Sequence, residues 1–309
     1  MKKDKLVATV DDKKMKKTAA EQPQTFKEKT LAFLKETGIV LGLFLVINNF
    51  VVASFLVPTG SMENEVLTGE LLFVNKFIYG GTSPRNIPFT NVRLPWFRVP
   101  ALRDVHRGDV IVFVFPGYRD EVRSEDFTFY LKRCVGLPGD TLQVKDRVLY
   151  VNNEIFPLPR NIRFDRPWGM TMEQTEDRIF PRGAQGNEDN YGPIVVPKKG
   201  MVIPLALENL PQWEVFIKRE GHTVGSAGSM VVIDGKPASS YAVQRDYLFG
   251  MGDHRDNSLD SRYWGFIPRE NLVGTPVLVY FSWNTDIPLY DIFSRISSIR
   301  WGRIGSLIK

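Results

Sequence analysis

The sequence predicts a mainly β protein behind one N-terminal transmembrane helix, with a second β-lobe inserted into the main body. Three observations predict it. From Ile39 to Val57 the chain reads IVLGLFLVINNFVVASFLV, 19 residues without a charge. Beyond Pro58, short runs of β-branched and aromatic residues alternate with glycine, proline and asparagine, which is the texture of strands and turns. The 309 residues are 43% apolar and 24% charged, enough to bury a core, and 25 glycines and 20 prolines supply the turns.

The elements follow in order. Residues 1–36 are a basic tail with 10 lysines against 6 acidic residues. The first 25 are polar and aperiodic, and read as disordered and cytoplasmic. We assign 37–57 to the membrane. As a helix the uncharged run spans about 28 Å, close to the ~30 Å hydrocarbon core. Asn48 and Asn49 are costly there, though less so than charges. A cleaved leader fits poorly, because the apolar run is too long and starts too late. Residues 58–150 and 243–287 carry the clearest strands: Leu71–Val74, Val110–Val114, Phe127–Leu131, Leu142–Val144 and Val277–Phe281. Residues 151–242 change to proline-rich loops with a hairpin signal at Asp234-Gly235, and read as the inserted lobe. Residues 288–309 place Ile292, Ile296, Ile299, Ile304, Leu307 and Ile308 near helical spacing, with Arg295, Arg300 and Arg303 between them. Two readings stand for this last segment: a helix lying on a membrane surface, or a terminal helix packing on the body.

The whole chain carries +5, and its basic excess is confined to the two tails beside apolar segments. That distribution points to a membrane surface and away from nucleic acid. The single cysteine, Cys134, excludes an internal disulfide.

Two residues carry the chemistry. Ser61 sits in Val57-Pro58-Thr59-Gly60-Ser61-Met62, directly past the apolar run. Lys132 sits inside the strand-like run Phe129–Val135. A lysine in apolar surroundings loses its proton more readily, and a neutral amine can activate a serine without any histidine. Strand alternation puts Tyr130, Lys132 and Cys134 on one face and Leu131, Arg133 and Val135 on the other. Arg133 cannot be the base, since guanidinium stays protonated. The Ser61 amide and the Thr59 hydroxyl are placed to donate to an oxyanion. Each segment alone has a plainer reading, a turn serine and a lysine snorkelling from a strand edge.

The run Gly250–Gly265 is dense in polar groups. Asp260 and Arg262 can pair, and Ser258 can orient an uncharged amine. As a calcium loop counted from Asp256 it fails, because Ile267 stands where a glutamate belongs. A Ser-His-Asp arrangement would have to use His106, His222 or His254, and no G-x-S-x-G elbow is present. A second Gly-Ser-Met, at Gly228-Ser229-Met230, reads as a turn, and Cys134 reads as a small buried apolar residue.

These motifs together resemble the bacterial signal peptidase I family. The nucleophile box is similar to Pro58–Met62, a second box to Arg107–Phe113, the lysine box to Tyr130–Asp140, and the last box to Gly252-Asp253 through Arg262–Gly265. The resemblance covers roughly 38–150 and 243–309. It implies a mostly antiparallel body with a long coiled sheet. It implies Ser61 as nucleophile, Lys132 as general base, Thr59 and the Ser61 amide as oxyanion donors, Ser258 orienting Lys132, and Asp260 with Arg262 holding that region. Val57, Pro58, Met62, Val66, Tyr130 and Leu131 would line shallow pockets for small side chains. The partners would be the signal peptides of exported preproteins and the lipid bilayer, with no nucleic acid, metal or cofactor, the chain working as a monomer. The place would be the bacterial inner membrane, single-pass, with the body outside the cytoplasm.

One departure stands out. The family continues Ser-Met-x-Pro-Thr-Leu, where this chain has Ser61-Met62-Glu63-Asn64-Glu65-Val66. Two other readings remain. An inactive membrane-tethered β module has that departure as its sole support, and a self-cleaving Ser-Lys repressor type would need a DNA-binding head and lacks this anchor.

Overall fold

The computed structural model describes residues 25–83, 95, 97–288 and 290–309. The disordered reading of the leader therefore lies, for 1–24, outside the described residues. Helix α1 (Phe26–Phe50) opens the described chain, followed by β1 (Val52–Leu56), β2 (Glu70–Asn75), β3 (Val110–Val114) and β4 (Phe129–Gly136). Then come β5 (Thr141–Lys145), β6 (Val148–Val151), β7 (Glu154–Ile155), β8 (Tyr191–Val195) and β9 (Val202–Pro204). Helix α2 (Leu210–Arg219) precedes β10 (Val224–Ala227), β11 (Met230–Ile233), β12 (Lys236–Pro237), β13 (Ser240–Ala242) and β14 (Tyr247–Met251). Helix α3 (Ser261–Trp264), β15 (Ile267–Pro268), β16 (Leu272–Ser282) and α4 (Ile292–Ser297) complete it.

The chain divides into two compact units, residues 1–47 and 48–309. In the first, α1 begins with a capping box: Thr25 N donates to Glu28 Oε2 at 2.8 Å and Glu28 N to Thr25 Oγ1 at 3.4 Å. The helix buries none of its residues and is long and apolar enough to cross a membrane. It ends earlier than the assigned 37–57 span. Val52–Leu56 leave the helix and pair antiparallel with β2, Ala53 opposite Val74 and Phe55 opposite Leu72. An uncharged run suits a buried strand as well as a membrane helix. Here β-branched Val51 and Val52 and a waiting partner strand decide for the strand.

In the second unit, the described residues form a seven-stranded sheet in the order β1-β2-β16-β3-β4-β14-β15, with every pairing antiparallel. A four-stranded sheet, β7-β6-β5-β8, a three-stranded sheet, β10-β11-β12, and the pair β13-β9 come from the stretch between β4 and β14. The fold is mainly β. The hairpin at Asp234-Gly235 forms as read: Ile233 faces Lys236 and both loop residues have positive φ, 50° and 77°. Long β16 joins the two halves of the main sheet, pairing with β2 on one side and β3 on the other.

Three apolar clusters fill the second unit. One, with Val66, Leu72, Val74 and Val279, lies beneath the Ser61 turn. A second packs Ile111, Phe113, Cys134 and Trp264. The third fills the lobe, with Leu142, Leu149, Phe216 and Phe266. Residues 300–309 run along β16: Arg300 N donates to Ser282 O, Gly305 N to Val279 O and Ile308 N to Val277 O. Short α4 before them leaves Ile292, Phe293 and Ile296 exposed.

Candidate active site

Lys132 lies mid-strand in β4, between β3 and β14, with Ile111 opposite it on β3. Gly250 on β14 makes room: a Cβ there would sit 3.1 Å from Lys132 Cβ. The side chain is 3% exposed. Its Nζ is 2.6 Å from Ser61 Oγ. Burial strips water from the ammonium and pulls its pKa from 10.5 down to about 8; Arg262 adds to the fall, while Asp260 and Asp253 oppose it.

Ser61 sits on a turn-rich stretch between β1 and β2. Glu63 N donates to Gly60 O at 2.9 Å, Glu65 N to Met62 O at 3.1 Å and Val66 N to Met62 O at 2.8 Å. Asn64 has φ 81°. That conformation is closed to proline, whose ring fixes φ near −65°, and is well tolerated by asparagine. The departure at Asn64 is thus matched to the local backbone. The Thr59 hydroxyl and the Ser61 amide make no hydrogen bond among the described residues, and both residues line the cleft.

Two buried ion pairs lie close to Ser61 and Lys132. Arg262 grips Asp260 with two bonds, Nε to Oδ1 at 2.9 Å and Nη2 to Oδ2 at 2.8 Å, both residues fully buried. Burial pushes the Asp260 carboxyl up, but Arg262 and the Gly252 N–H outweigh it and hold the carboxyl below its usual range. Arg133 grips Asp253 the same way, at 2.8 and 2.5 Å. A Cβ on Gly252 would come within 2.6 Å of the Ser61 carbonyl oxygen, so only glycine fits between the Ser61 turn and Ser258.

A cleft of about 350 Å³ opens beside Ser61 and Lys132. Val57, Pro58, Thr59, Met62, Tyr130 and Leu131 line it. Val66 does not: it is fully buried in the cluster with Leu72 and Val74, one layer below. The sequence reading missed Phe55, Leu56, Phe129, Asn257 and Leu259 in the lining. Phe55 and Leu56 were hidden inside the apolar run, whereas Phe129 begins the strand already assigned to Lys132.

One expected contact differs. Among the described residues Ser258 Oγ is buried without a hydrogen-bond partner, and the Lys132 bond goes to Ser61 instead. His254 is buried beside the Ser61 turn and meets Gly60 O at 3.3 Å and Asp165 Oδ2 at 2.7 Å, not the Ser61 hydroxyl. Burial pushes the Cys134 thiol up, which disfavours a thiolate there. Among the described residues, no group of three or more His, Cys, Asp or Glu side chains converges on a point that could hold a metal ion.

Comparison with known proteins shows the family. Residues 30–283 match the family model described as "Signal peptidase, peptidase S26". The chain is 32% identical to signal peptidase I of Pseudomonas aeruginosa over 257 residues, covering 79% of this chain and 70% of that one. It is 30% identical to signal peptidase I of Pseudomonas fluorescens over 275 residues, covering 84% and 76%. A solved signal peptidase I from Enterococcus faecalis is 20% identical, with a TM-score of 0.25, covering 57% of this chain and 98% of that one. With residues 30–283 matched by the family model and 32% identity to a relative over most of both chains, this chain belongs to the signal peptidase family, peptidase S26.

Proposed function

We propose that this peptidase is a membrane-anchored serine endopeptidase that removes signal peptides from exported preproteins with a Ser61–Lys132 dyad. The observation that carries the proposal is the 2.6 Å contact between Lys132 Nζ and Ser61 Oγ in a dry pocket. With a pKa of about 8, about one amine in ten is neutral at pH 7, against about one in three thousand at the ordinary lysine value. The neutral amine takes the Ser61 proton as Oγ attacks the scissile carbonyl. The Ser61 amide and the Thr59 hydroxyl donate to the oxyanion that forms. Lys132, now charged, returns the proton to the leaving amine, and an ester on Ser61 remains. Water, deprotonated by the same amine, then hydrolyses the ester and frees the enzyme. Asp260 and Arg262 fix the floor under Lys132.

An extended substrate lies along the cleft and its small side chains enter between Val57, Met62, Tyr130 and Leu131. Signal peptides are supported as substrates by the relatives' names and by this apolar lining. Anchoring rests on α1, with the lysine-rich end cytoplasmic and the body across the bacterial inner membrane. Lipid contact also falls to the exposed Ile292, Phe293, Ile296 and Trp301, among Arg295, Arg300 and Arg303. No second protein chain and no cofactor enters the scheme.

Purified full-length protein in detergent, given a preprotein ending its leader in Ala-x-Ala, tests the assignment. Ser61→Ala and Lys132→Arg each abolish cleavage, and His254→Ala retains it. An active Lys132→Arg together with a dead His254→Ala would overturn the base assignment.

A further inference from the structure

Two acidic residues of the nucleophile turn have a role that neither the dyad nor the cleft uses. The stretch 161–166, between β7 and β8, lies against this turn. Arg163 Nη1 is 2.8 Å from Glu63 Oε2, and Asn161 Nδ2 donates to Glu65 Oε2. The same stretch is laced to the loop after β14: Arg163 N donates to Asp253 O at 2.9 Å, Arg255 N to Arg163 O at 2.9 Å, and Arg166 N to Asp256 Oδ2 at 2.8 Å. Asp165 takes a 2.8 Å contact from Arg163 Nε and a 2.7 Å contact from His254 Nε2. His254 closes the ring, its main-chain N–H donating to Ser61 O at 3.1 Å and its Nδ1 lying 3.4 Å from Glu63 Oε2.

The need for such ties follows from where Ser61 is. Lys132 is fixed by hydrogen-bonded strands on both sides, but Ser61 rides on turns whose own hydrogen bonds are local. A drift of about 1 Å between reacting groups can cost on the order of a hundredfold in rate. Glu65 is buried, so its carboxylate cannot be left without partners. It finds them in Asn161 and in the main-chain N–H of Lys309, at 2.6 Å, with Arg133 4.0 Å away. Glu63 is half-exposed yet points to Arg163 and His254.

We infer that residues 161–166 are a positioning strap: through Arg163–Glu63 and Asn161–Glu65 they hold the Ser61 turn on the 253–256 loop and keep Ser61 Oγ within reach of Lys132. The strap rests on the Ser61–Lys132 reading. Arg163 and Glu63 are positioning residues, since neither touches the reacting atoms. A pair exposed this far adds little to global stability. The strap therefore shows itself in kcat while leaving the melting temperature nearly unchanged.

The test is a double-mutant cycle on the full chain in detergent, with a preprotein substrate: Glu63→Gln, Arg163→Met and both together. Arg163→Lys serves as the conservative rescue, and Arg182→Ala breaks an unrelated exposed ion pair with Asp120 as the control. Each single variant lowers kcat on the order of tenfold with KM nearly unchanged. The double variant is no slower than the slower single one, Arg163→Lys recovers most of the rate, and Arg182→Ala matches the parent. Single variants at the parental rate, single effects that multiply in the double variant, or a loss confined to KM would each overturn the strap. Ser61→Ala run alongside separates the two levels. If it still cleaves, the dyad reading itself has failed; if it is dead while Glu63→Gln and Arg163→Met are at full rate, only the strap has.

Discussion

The two halves of the proposed dyad are built in opposite ways. Lys132 is held by regular structure: mid-strand in β4, Ile111 across on β3, Gly250 beside it on β14, and a bidentate Asp260–Arg262 pair beneath. Ser61 is held by a chain of turns and side-chain ties, two of them reaching across a sequence separation of about a hundred residues. The difference follows from what each group must do. A lysine stays a base only while water is kept out, and a closed sheet does that best. A nucleophile must meet substrate at an open cleft, which a turn at the rim allows.

Variants on each side sharpen the contrast. The largest effect belongs to the base. Lys132→Met abolishes cleavage and at the same time stabilises the fold. The sign follows from the pKa lowered to about 8. Between that value and the unfolded lysine's 10.5, the unfolded chain binds more protons, so stability rises with pH across that window. Below about pH 8 the buried ammonium costs its full amount, about 3 kcal/mol from the shift. Denaturant melts at pH 7 check this; a Lys132→Met protein no more stable than the parent would contradict the dry-lysine account. A smaller effect is expected on the other side. Asn64→Pro cannot adopt the φ of 81° and lowers kcat by at least about tenfold, while Asn64→Gly, free in that region, stays near the parent. Equal rates for the two variants, measured on the same preprotein, would mean that the turn's backbone does not matter. The strap variants rank with or below this one.

Much of this was legible in the chain itself. The alternation in Phe129–Val135 shows in the packing, because strand period and burial act locally: Tyr130 and Cys134 pack into one cluster while Leu131 and Val135 join others. Asp234-Gly235 declared its hairpin through the positive φ both residues tolerate. What failed to show has a common cause. The end of α1 at Phe50 depends on β2 being available as a partner, and Val66 turns inward because a cluster from β2 and β16 lies beneath it. Ser258 and the strap depend on which distant segments meet, which hydropathy and spacing do not encode. Glu63 and Glu65 look like charges beside a cleft until Arg163 and Asn161 are seen against them.

The central claim concerns one amine, and the pH dependence of kcat/KM addresses it most directly, because that ratio reports the free enzyme's essential base. Measured on a preprotein in detergent, the account predicts a rate that climbs with unit slope and levels off near the Lys132 value of about 8. A profile flat from about pH 6 to 9, or one still climbing toward the ordinary lysine value of about 10.4, would contradict it.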